Sequence, residues 1–194
     1  MGCEPNGKLG CISPDERLNV FALVIYIPDP LGKFLDDLRR ELVPHYNPHA
    51  HVSVLPPRPL SVGWPLASGV ARAVLEACPP FDVELGDVAT FPVTDVIYLE
   101  VGAGASELRR LHRTMCQGPL GFDEPFPYYP HVTLAQEIPH DQVGETQEVA
   151  RRRWREFRGE RRFRVQRAVF VQNTQTDCWA DLAVYELGAV AARL

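Results

Sequence analysis

Two short segments of the sequence pair a histidine with a hydroxyl side chain two residues later. The first reads His-Val-Ser-Val from His51, and the second reads His-Val-Thr-Leu from His131. Because alternate side chains of an extended strand point to opposite faces, each segment would place its imidazole and its hydroxyl together and its two aliphatic residues on the other side. Such a face offers a titratable nitrogen beside a hydrogen-bond donor.

Two such faces across a cleft suit an in-line displacement at phosphorus. The attacking and departing oxygens lie on opposite sides of the phosphorus, so the two proton transfers need catalysts on opposite sides. One imidazole, His51 or His131, can take the proton of water while the other protonates the leaving oxygen, because an unperturbed pKa of about 6.5 keeps both forms accessible. The hydroxyls of Ser53 and Thr133 can donate to the non-bridging oxygens. The chemistry needs no metal or cofactor, and the pattern does not decide which histidine is the base.

Hydrophobic patterning places both segments in a repeated order of strands and helices. Strands are predicted at 18–27, 51–57, 81–91, 96–102, 131–138, 162–173 and 178–187. Amphipathic helices are predicted at 30–43, 65–78, 106–117 and 140–157. We expect Pro56 and Pro57 to break the second strand and Ser106 to cap the third helix. The order strand-helix-strand-helix-strand thus occurs twice, with a histidine segment as the third element of each half.

The paired segments resemble the signatures of the two-histidine (2H) phosphoesterase superfamily, which includes 2'-5' RNA ligase-like proteins and cyclic nucleotide phosphodiesterases. The flanking sequences HVSVLPP and YYPHVTL share the resemblance, which covers nearly everything from residue 18 onward. It implies an α+β fold of two lobes, with antiparallel sheets flanking a central cleft. It also implies metal-independent hydrolysis of 2',3'-cyclic or 2'-5' phosphodiester groups of nucleotides or RNA ends. By position, His51 and His131 would be the acid-base pair, and Ser53 and Thr133 would hold the phosphate.

The domain organisation expected from these patterns is simple. Residues 1–16, rich in glycine, proline and charge, are expected to form a loose tail. Residues 17–194 are expected to form one bilobal domain, with halves at roughly 18–91 and 95–173 and a final strand at 178–187. The segment GPLGFDEPFP at 118–127 departs from the plainer family members, and its place before the second signature predicts a part of the cleft rim.

Three further features are candidate contacts for a nucleic-acid substrate. Nine arginines lie between residues 151 and 167, where a solvated helix face and a guarded edge strand are the first interpretation and an RNA-backbone contact is the alternative. Arg58 follows the first signature closely and is a candidate cleft residue. Tyr129 lies two positions before His131 on the same strand face, so it is a candidate ring for stacking on a base.

The bulk composition narrows the class of protein. An apolar fraction of 45% and a charged fraction of 23% are typical of a soluble globular chain, and a net charge of -5 predicts no general attraction to nucleic acid or membranes. The five cysteines are scattered without a C-x-x-C pair, which favours a reducing compartment. The longest apolar run, 18–27, is too short for a membrane span. We therefore expect a cytoplasmic monomer.

Three other interpretations stay open. RNA end-joining is the reverse reaction at the same site, and only the products would distinguish it. A non-catalytic RNA- or nucleotide-binding module would keep the cleft, although binding alone does not need two opposed titratable groups. A metal site would use His49 and His51 with His45 as a weak third ligand. The second signature repeats His51 and Ser53 but not His49, so we assign His49 to the edge of the strand and predict no metal.

Overall fold

The structure of the chain, a computed structural model, describes residues 17–43, 49–176 and 178–189. The tail predicted for residues 1–16 and the weak metal ligand His45 lie outside the described residues. The strands are Arg17–Tyr26 (β1), His51–Arg58 (β2), Phe81–Thr90 (β3), Ile97–Val101 (β4), His131–Ala135 (β5), Arg162–Val165 (β6), Arg167–Thr174 (β7) and Trp179–Glu186 (β8). The α-helices are Leu31–Leu42 (α1), Trp64–Ala77 (α2), Ala105–Met115 (α3) and Val143–Glu156 (α4). Short 3-10 turns lie at Gly118–Leu120 and His140–Gln142.

The strands form two antiparallel sheets, and the expected α+β class is confirmed. The first sheet has the order β2-β1-β7-β8, and the second has the order β5-β4-β3-β6. Each sheet contains strands from both halves of the sequence. The strand β3 follows α2 in the first half but pairs with β4, and β7 follows α4 in the second half but pairs with β1. The halves of the repeat therefore exchange their closing strands.

This exchange changes one predicted strand. The single strand predicted at 162–173 is wrong, because Gln166 separates β6 in the second sheet from β7 in the first. Burial alternates through β6, where Phe163 and Val165 face the core, and then becomes continuous from Ala168 to Val171. Both patterns are typical of strands, so periodicity did not reveal the passage from one sheet to the other.

The helices pack so that the two sheets share one core. The helix α1 connects two strands of the first sheet but packs against β5 of the second sheet and against α4. In the same way α3, which connects two strands of the second sheet, packs against β2. Leu35 and Leu38 of α1 and Leu108 of α3 are almost fully buried in this core. Burying a leucine side chain contributes about 2 kcal/mol, so these contacts hold the two sheets in a fixed relation.

Two local expectations differ from the structure. The strand β2 continues through Pro56 and Pro57 to Arg58, with register shifts in its pairing to β1. A proline lacks an N–H group, which an edge strand tolerates at an irregular position. Ser106 does not cap α3: the capping position is Gly104, with a φ of 86°, and the Ser106 hydroxyl donates to the Glu107 carboxylate. A β-carbon at Gly104 would lie 2.5 Å from the Asp82 carbonyl oxygen, so only glycine fits this turn.

The described helices also bear on membrane insertion. Within 17–43, 49–176 and 178–189, no helix combines the length and the apolar composition that a membrane span requires.

Candidate active site

The two signatures lie on neighbouring edge strands of the two sheets. The strand β2 is the outer strand of the first sheet, β5 is the outer strand of the second, and the two strands contact one another. On both strands the signature histidine and hydroxyl residue are partly exposed, whereas the valine between them has no accessible surface. We call His51 and Ser53 the first half-site and His131 and Thr133 the second half-site.

The two imidazoles are held by the same backbone device. The Nδ1 atom of His51 lies 2.7 Å from the carbonyl oxygen of His49, and the Nδ1 atom of His131 lies 2.7 Å from the carbonyl oxygen of Tyr129. Because a carbonyl oxygen only accepts hydrogen bonds, Nδ1 donates in both contacts. This leaves Nε2 of each ring available to exchange a proton with a substrate.

A hydrogen bond from the second half of the chain joins the half-sites. The hydroxyl of Tyr128, three residues before His131, donates to the carbonyl oxygen of Ser53 at 2.8 Å. On the neighbouring residue of β2, the Val54 carbonyl oxygen accepts from Nδ1 of His112 at 2.8 Å. The rings of His112 and Tyr128 stack with centroids 3.8 Å apart. These contacts fix β2 relative to β5, and no sequence pattern signalled them.

The electrostatic surroundings lower the pKa of both signature histidines. Burial lowers the pKa of His51 to about 4, with further lowering by the positive charges of Arg39, His131 and His49. His51 and His131 lie on the contacting strands β2 and β5. Burial also lowers the pKa of His131, while its bond to the Tyr129 carbonyl opposes the shift. Both shifts favour the neutral form of the imidazole in the substrate-free protein.

Aromatic rings surround the second half-site. Phe91 and Tyr98 stack on each other with centroids 4.0 Å apart, and their rings meet the His131 ring at 5.1 and 5.4 Å with steep interplanar angles. Tyr129, the candidate stacking residue, packs against the same two rings and is 37% exposed. Its hydroxyl donates to Glu100 at 3.3 Å, and the Arg109 guanidinium lies over its ring at 5.8 Å.

The candidate cleft residue Arg58 has a buried side chain. Its guanidinium donates to Glu124, to the Sγ atom of Cys116 at 3.2 Å and to the Pro56 carbonyl oxygen at 2.9 Å, and it is 3% exposed. It also lies 5.5 Å from the ring of Phe122. These contacts tie the segment 118–127 to β2, and a direct contact of Arg58 with substrate stays a prediction.

Among the described residues, the group with metal-ligand spacing is not the one considered from the sequence. Ligand atoms of His112, Cys116 and Glu124 lie within 4.8 Å of one another. The Arg58 guanidinium already contacts both the thiol and the carboxylate. A second cation there would meet this fixed positive charge, so the donor set does not fit a metal ion.

The arginine-rich segment divides into two surfaces. On α4, Arg151 pairs with Glu148, and Arg153 pairs with Glu41 and Glu156. On β6, Arg162 and Arg164 share the carboxylate of Asp82. Arg161 donates to the Trp154 carbonyl oxygen and lies 4.2 Å from the Trp154 ring. Several of these charges are therefore matched within the protein, and an RNA contact of this segment stays a prediction.

Comparison with known proteins identifies the family. The family model of the 2'-5' RNA ligase superfamily matches residues 27–177. The chain belongs to the 2'-5' RNA ligase superfamily. The family predicted from the two signatures, which unites such proteins with 2H phosphoesterases, is therefore confirmed.

Two bacterial relatives of this superfamily member carry the name "putative phosphoesterase". The protein of Oceanobacillus iheyensis is 32% identical over 75 residues, which are 38% of this chain and 44% of that protein. The protein of Bacillus licheniformis is 29% identical over 120 residues, which are 57% of this chain and 69% of that protein. The match to the Oceanobacillus protein thus spans less than half of its length.

Solved structures share the fold of this superfamily member at low identity. The Thermus thermophilus protein TT0787 has a TM-score of 0.62 and 16% identity, covering 87% of this chain and 98% of that one. LigT of E. coli in complex with 3'-AMP has a TM-score of 0.60 and 14% identity, covering 89% and 98%. Usb1 of Kluyveromyces marxianus has a TM-score of 0.55 and 15% identity, covering 87% and 99%. At these identities the likeness concerns the fold alone.

Proposed function

We propose that this chain is a metal-independent phosphodiesterase that hydrolyses 2',3'-cyclic or 2'-5' phosphodiester groups of nucleotides or RNA ends. The observation that carries the proposal is the matched pair of imidazoles on neighbouring strands, each with Nδ1 donating to a backbone carbonyl and a hydroxyl residue one pleat away. A histidine with only a structural role would need one such bond, to give its buried N–H group an acceptor. Two such arrangements on contacting strands suit opposed proton transfers at one phosphorus.

The reaction follows from the groups available. Nε2 of one neutral imidazole accepts a proton from water as the water oxygen forms its bond to phosphorus. Nε2 of the other imidazole, in its protonated form, gives a proton to the sugar oxygen as the P–O bond breaks. The hydroxyls of Ser53 and Thr133 donate to the non-bridging oxygens, where negative charge grows. The negative charge of a bound phosphodiester raises the pKa of both rings, so that one of them takes up from solvent the proton that the acid must hold.

The ligands of one relative support a nucleotide phosphate as the kind of group that the site binds. Structures of E. coli LigT hold 3'-AMP, NADP+, ATP or phosphate. In this chain the partly exposed ring of Tyr129 packs against Phe91 and Tyr98, the two rings that also meet His131, and it would offer an aromatic face to the base of a nucleotide bound at the phosphate site. Stacking of a base on such a ring contributes about 1–3 kcal/mol.

Alanine variants of the two histidines test the proposal. The assay measures hydrolysis of 2',3'-cyclic mononucleotides and of a 2'-5' linked dinucleotide, with the position of the product phosphate assigned. We expect His51→Ala and His131→Ala each to lower kcat by about 10²–10⁴-fold. The matched control is His140→Ala, because His140 is an exposed histidine paired with Asp95. Near wild-type rates in both signature variants, or loss of wild-type activity on treatment with a chelator, would contradict the proposal.

RNA end-joining is a second candidate, favoured by the description of the superfamily. It uses the same groups with a different nucleophile: a sugar hydroxyl replaces water, bonds to the phosphorus of a 2',3'-cyclic phosphate and breaks one ring P–O bond, whose oxygen takes the proton of the acid. Incubation of the enzyme with one RNA ending in a cyclic phosphate and another with a free 5'-hydroxyl distinguishes the two reactions. Accumulation of a longer 2'-5' linked product would favour joining, and a hydrolysed phosphate end would favour the phosphodiesterase.

A further inference from the structure

The two half-sites differ in one buried cation. Arg39 of α1 is 2% exposed, and its Nη1 atom donates to the carbonyl oxygen of His49 at 2.7 Å. This is the same carbonyl oxygen that accepts from Nδ1 of His51. The arginine and the imidazole therefore converge on one acceptor, which places a permanent positive charge beside the first half-site.

The related position in the second half carries no permanent charge. The sequence Leu35-x-x-Leu38-Arg39 of α1 corresponds in spacing to Leu108-x-x-Leu111-His112 of α3. His112 bonds to the Val54 carbonyl oxygen on β2, and it does not reach the Tyr129 carbonyl that holds His131. The ring of His131 meets the rings of Phe91 and Tyr98.

The residues that pair with the two histidines on the neighbouring strands also differ. The residue that pairs with His51 on β1 is Tyr26, a phenol whose hydroxyl donates to Asp181 and whose pKa is raised by burial. The residue that pairs with His131 on β4 is Glu100, a carboxylate. A neutral phenol gives no electrostatic support to an imidazolium. The Glu100 carboxylate accepts from the Tyr129 hydroxyl, and the pKa of His131 is set by burial and by the Tyr129 carbonyl.

Other charged groups also lie near His51. The Asp36 carboxylate of α1 accepts the Ala50 N–H group at 2.6 Å and interacts with Arg39 and His49, and burial raises its pKa. The charges that lower the pKa of His51 are those of Arg39, His131 and His49. These three groups therefore oppose its protonation.

We propose that Arg39 is a positioning residue that fixes the direction of proton transfer, so that His51 is the general base and His131 is the general acid. The inference rests on the proposed function and goes beyond it, because the signatures alone leave the two histidines equivalent. Arg39 does not touch the substrate; it acts through the His49 carbonyl and through its charge.

The proton balance of the step is then defined. Water loses a proton to Nε2 of His51 and its oxygen bonds to phosphorus, while the departing sugar oxygen takes a proton from Nε2 of His131. The P–O bond to the sugar breaks, and the enzyme is left with a protonated His51 and a neutral His131. Exchange with solvent returns the pair to its starting state, so neither an oxidant nor a further reactant is needed.

The residual activities of the single variants assign the two roles. In His131→Ala only the base is present, so the residual kcat/KM should rise with pH through the His51 pKa, about 4, and then stay level to pH 7. In His51→Ala only the acid is present, so the residual kcat/KM should fall with rising pH. The opposite signs would overturn the assignment while leaving acid-base catalysis intact. Wild-type rates in both variants would instead contradict the proposed function.

Variants of Arg39 test whether its charge lowers the pKa of His51. In Arg39→Gln, which keeps a hydrogen-bond donor but loses the charge, the acid limb of kcat/KM should move to higher pH by about one unit. Histidine NMR titration of the full chain should show the same shift for His51 and none for His131. Arg39→Lys, which keeps the charge, should restore the wild-type limb, and Arg40→Gln is the matched surface control. A folded Arg39→Gln protein with an unmoved His51 titration would overturn the inference; if this variant does not fold, Arg39→Lys with a shifted His51 titration would do so.

Discussion

The first and second half-sites share one backbone geometry and differ in the charged and aromatic residues around it. Both histidines donate from Nδ1 to the carbonyl of the residue two positions earlier at 2.7 Å. A buried cation then accompanies His51, whereas aromatic rings enclose His131. The repeat therefore supplies two equivalent histidines, and the residues that are not repeated give each histidine a different electrostatic environment. Chemistry that needs a base on one side and an acid on the other requires this kind of asymmetry.

The half-sites also differ in what holds their strands. The carbonyl oxygens of Ser53 and Val54 on β2 accept side-chain hydrogen bonds from Tyr128 and His112 in the second half of the chain. The second half-site instead lies beside rings of its own sheet. The position of the first half-site thus depends on the other half, and perturbing either support should affect the two half-sites unequally.

The largest expected difference between the half-sites is in acid stability. The folded state holds the pKa of His51 at about 4, below the ordinary value of about 6.5 in an unfolded chain. Between these values the unfolded state binds more protons, so the free energy of unfolding should fall by about 3 kcal/mol as the pH drops from 6.5 to 4. Urea unfolding of wild type and His51→Asn across this range measures the contribution, which the variant should lack.

Parallel variants give this measurement its controls. His131→Asn should remove a smaller part of the acid sensitivity, because burial alone lowers the pKa of His131. His140→Ala should act in the opposite sense, since Asp95 raises the pKa of His140 and its stabilisation is lost as the pH rises. If His51→Asn and His131→Asn reduced the acid sensitivity of the free energy of unfolding equally, the two half-sites would not differ electrostatically.

The next effect concerns the two hydroxyls. Ser53→Ala and Thr133→Ala should each lower kcat about 10²-fold, the usual loss when one donor to a developing oxyanion is removed, with little change in the free energy of unfolding. The exchanges Ser53→Thr and Thr133→Ser keep the hydroxyl and serve as matched controls. Steady-state kinetics on a 2',3'-cyclic nucleotide make the comparison. If one alanine variant keeps wild-type kcat, its half-site does not hold the phosphate.

The local geometry of the candidate site could be predicted from sequence because its residues lie within single strands. The alternation of His51, Val52, Ser53 and Val54 specifies a buried face and a partly exposed face, and β2 shows that alternation. The same holds for β5. Local periodicity was sufficient because the neighbours that define it are one and two residues away.

The supporting residues could not be found in the same way because they meet through the tertiary fold. Tyr128 reaches Ser53 across 75 residues, and Arg58 reaches Glu124 across 66. Arg39 is an exception. It lies four residues after Leu35, so the helical spacing of α1 places it on the buried apolar face. A charged residue on a buried helical face needs a partner, and here that partner is the carbonyl beside the first half-site.

A smaller effect should follow from opening the aromatic enclosure of His131. Phe91→Ala removes a ring that contacts the imidazole and lets water approach it. Because burial lowers the His131 pKa, its exposure should raise that pKa, and the alkaline limb of kcat/KM should move to higher pH by about half a unit. The pH-rate profile of Val93→Ala, a change at a highly exposed side chain, provides the baseline. A shift of the acid limb instead would assign His131 to the base.

The smallest effect tests the link between the half-sites. Tyr128→Phe removes the hydroxyl that donates to the Ser53 carbonyl oxygen but keeps the ring stacked on His112. A buried carbonyl left without its partner costs about 1 kcal/mol, so urea unfolding should show a loss of that size. The Ser53 hydroxyl should also lose part of its alignment, which lowers kcat several-fold and leaves KM nearly unchanged.

The matched change on the other side of the comparison is Tyr129→Phe, because it removes a neighbouring phenol from a more exposed position. Its hydroxyl contacts the Glu100 side chain rather than the backbone of a signature strand, and solvent can replace that bond. We therefore expect Tyr129→Phe to leave kcat and the free energy of unfolding close to wild type. If Tyr129→Phe lowered kcat as much as Tyr128→Phe, the hydrogen bond between the halves would not be what aligns Ser53. The two half-sites would then be positioned by their own sheets alone.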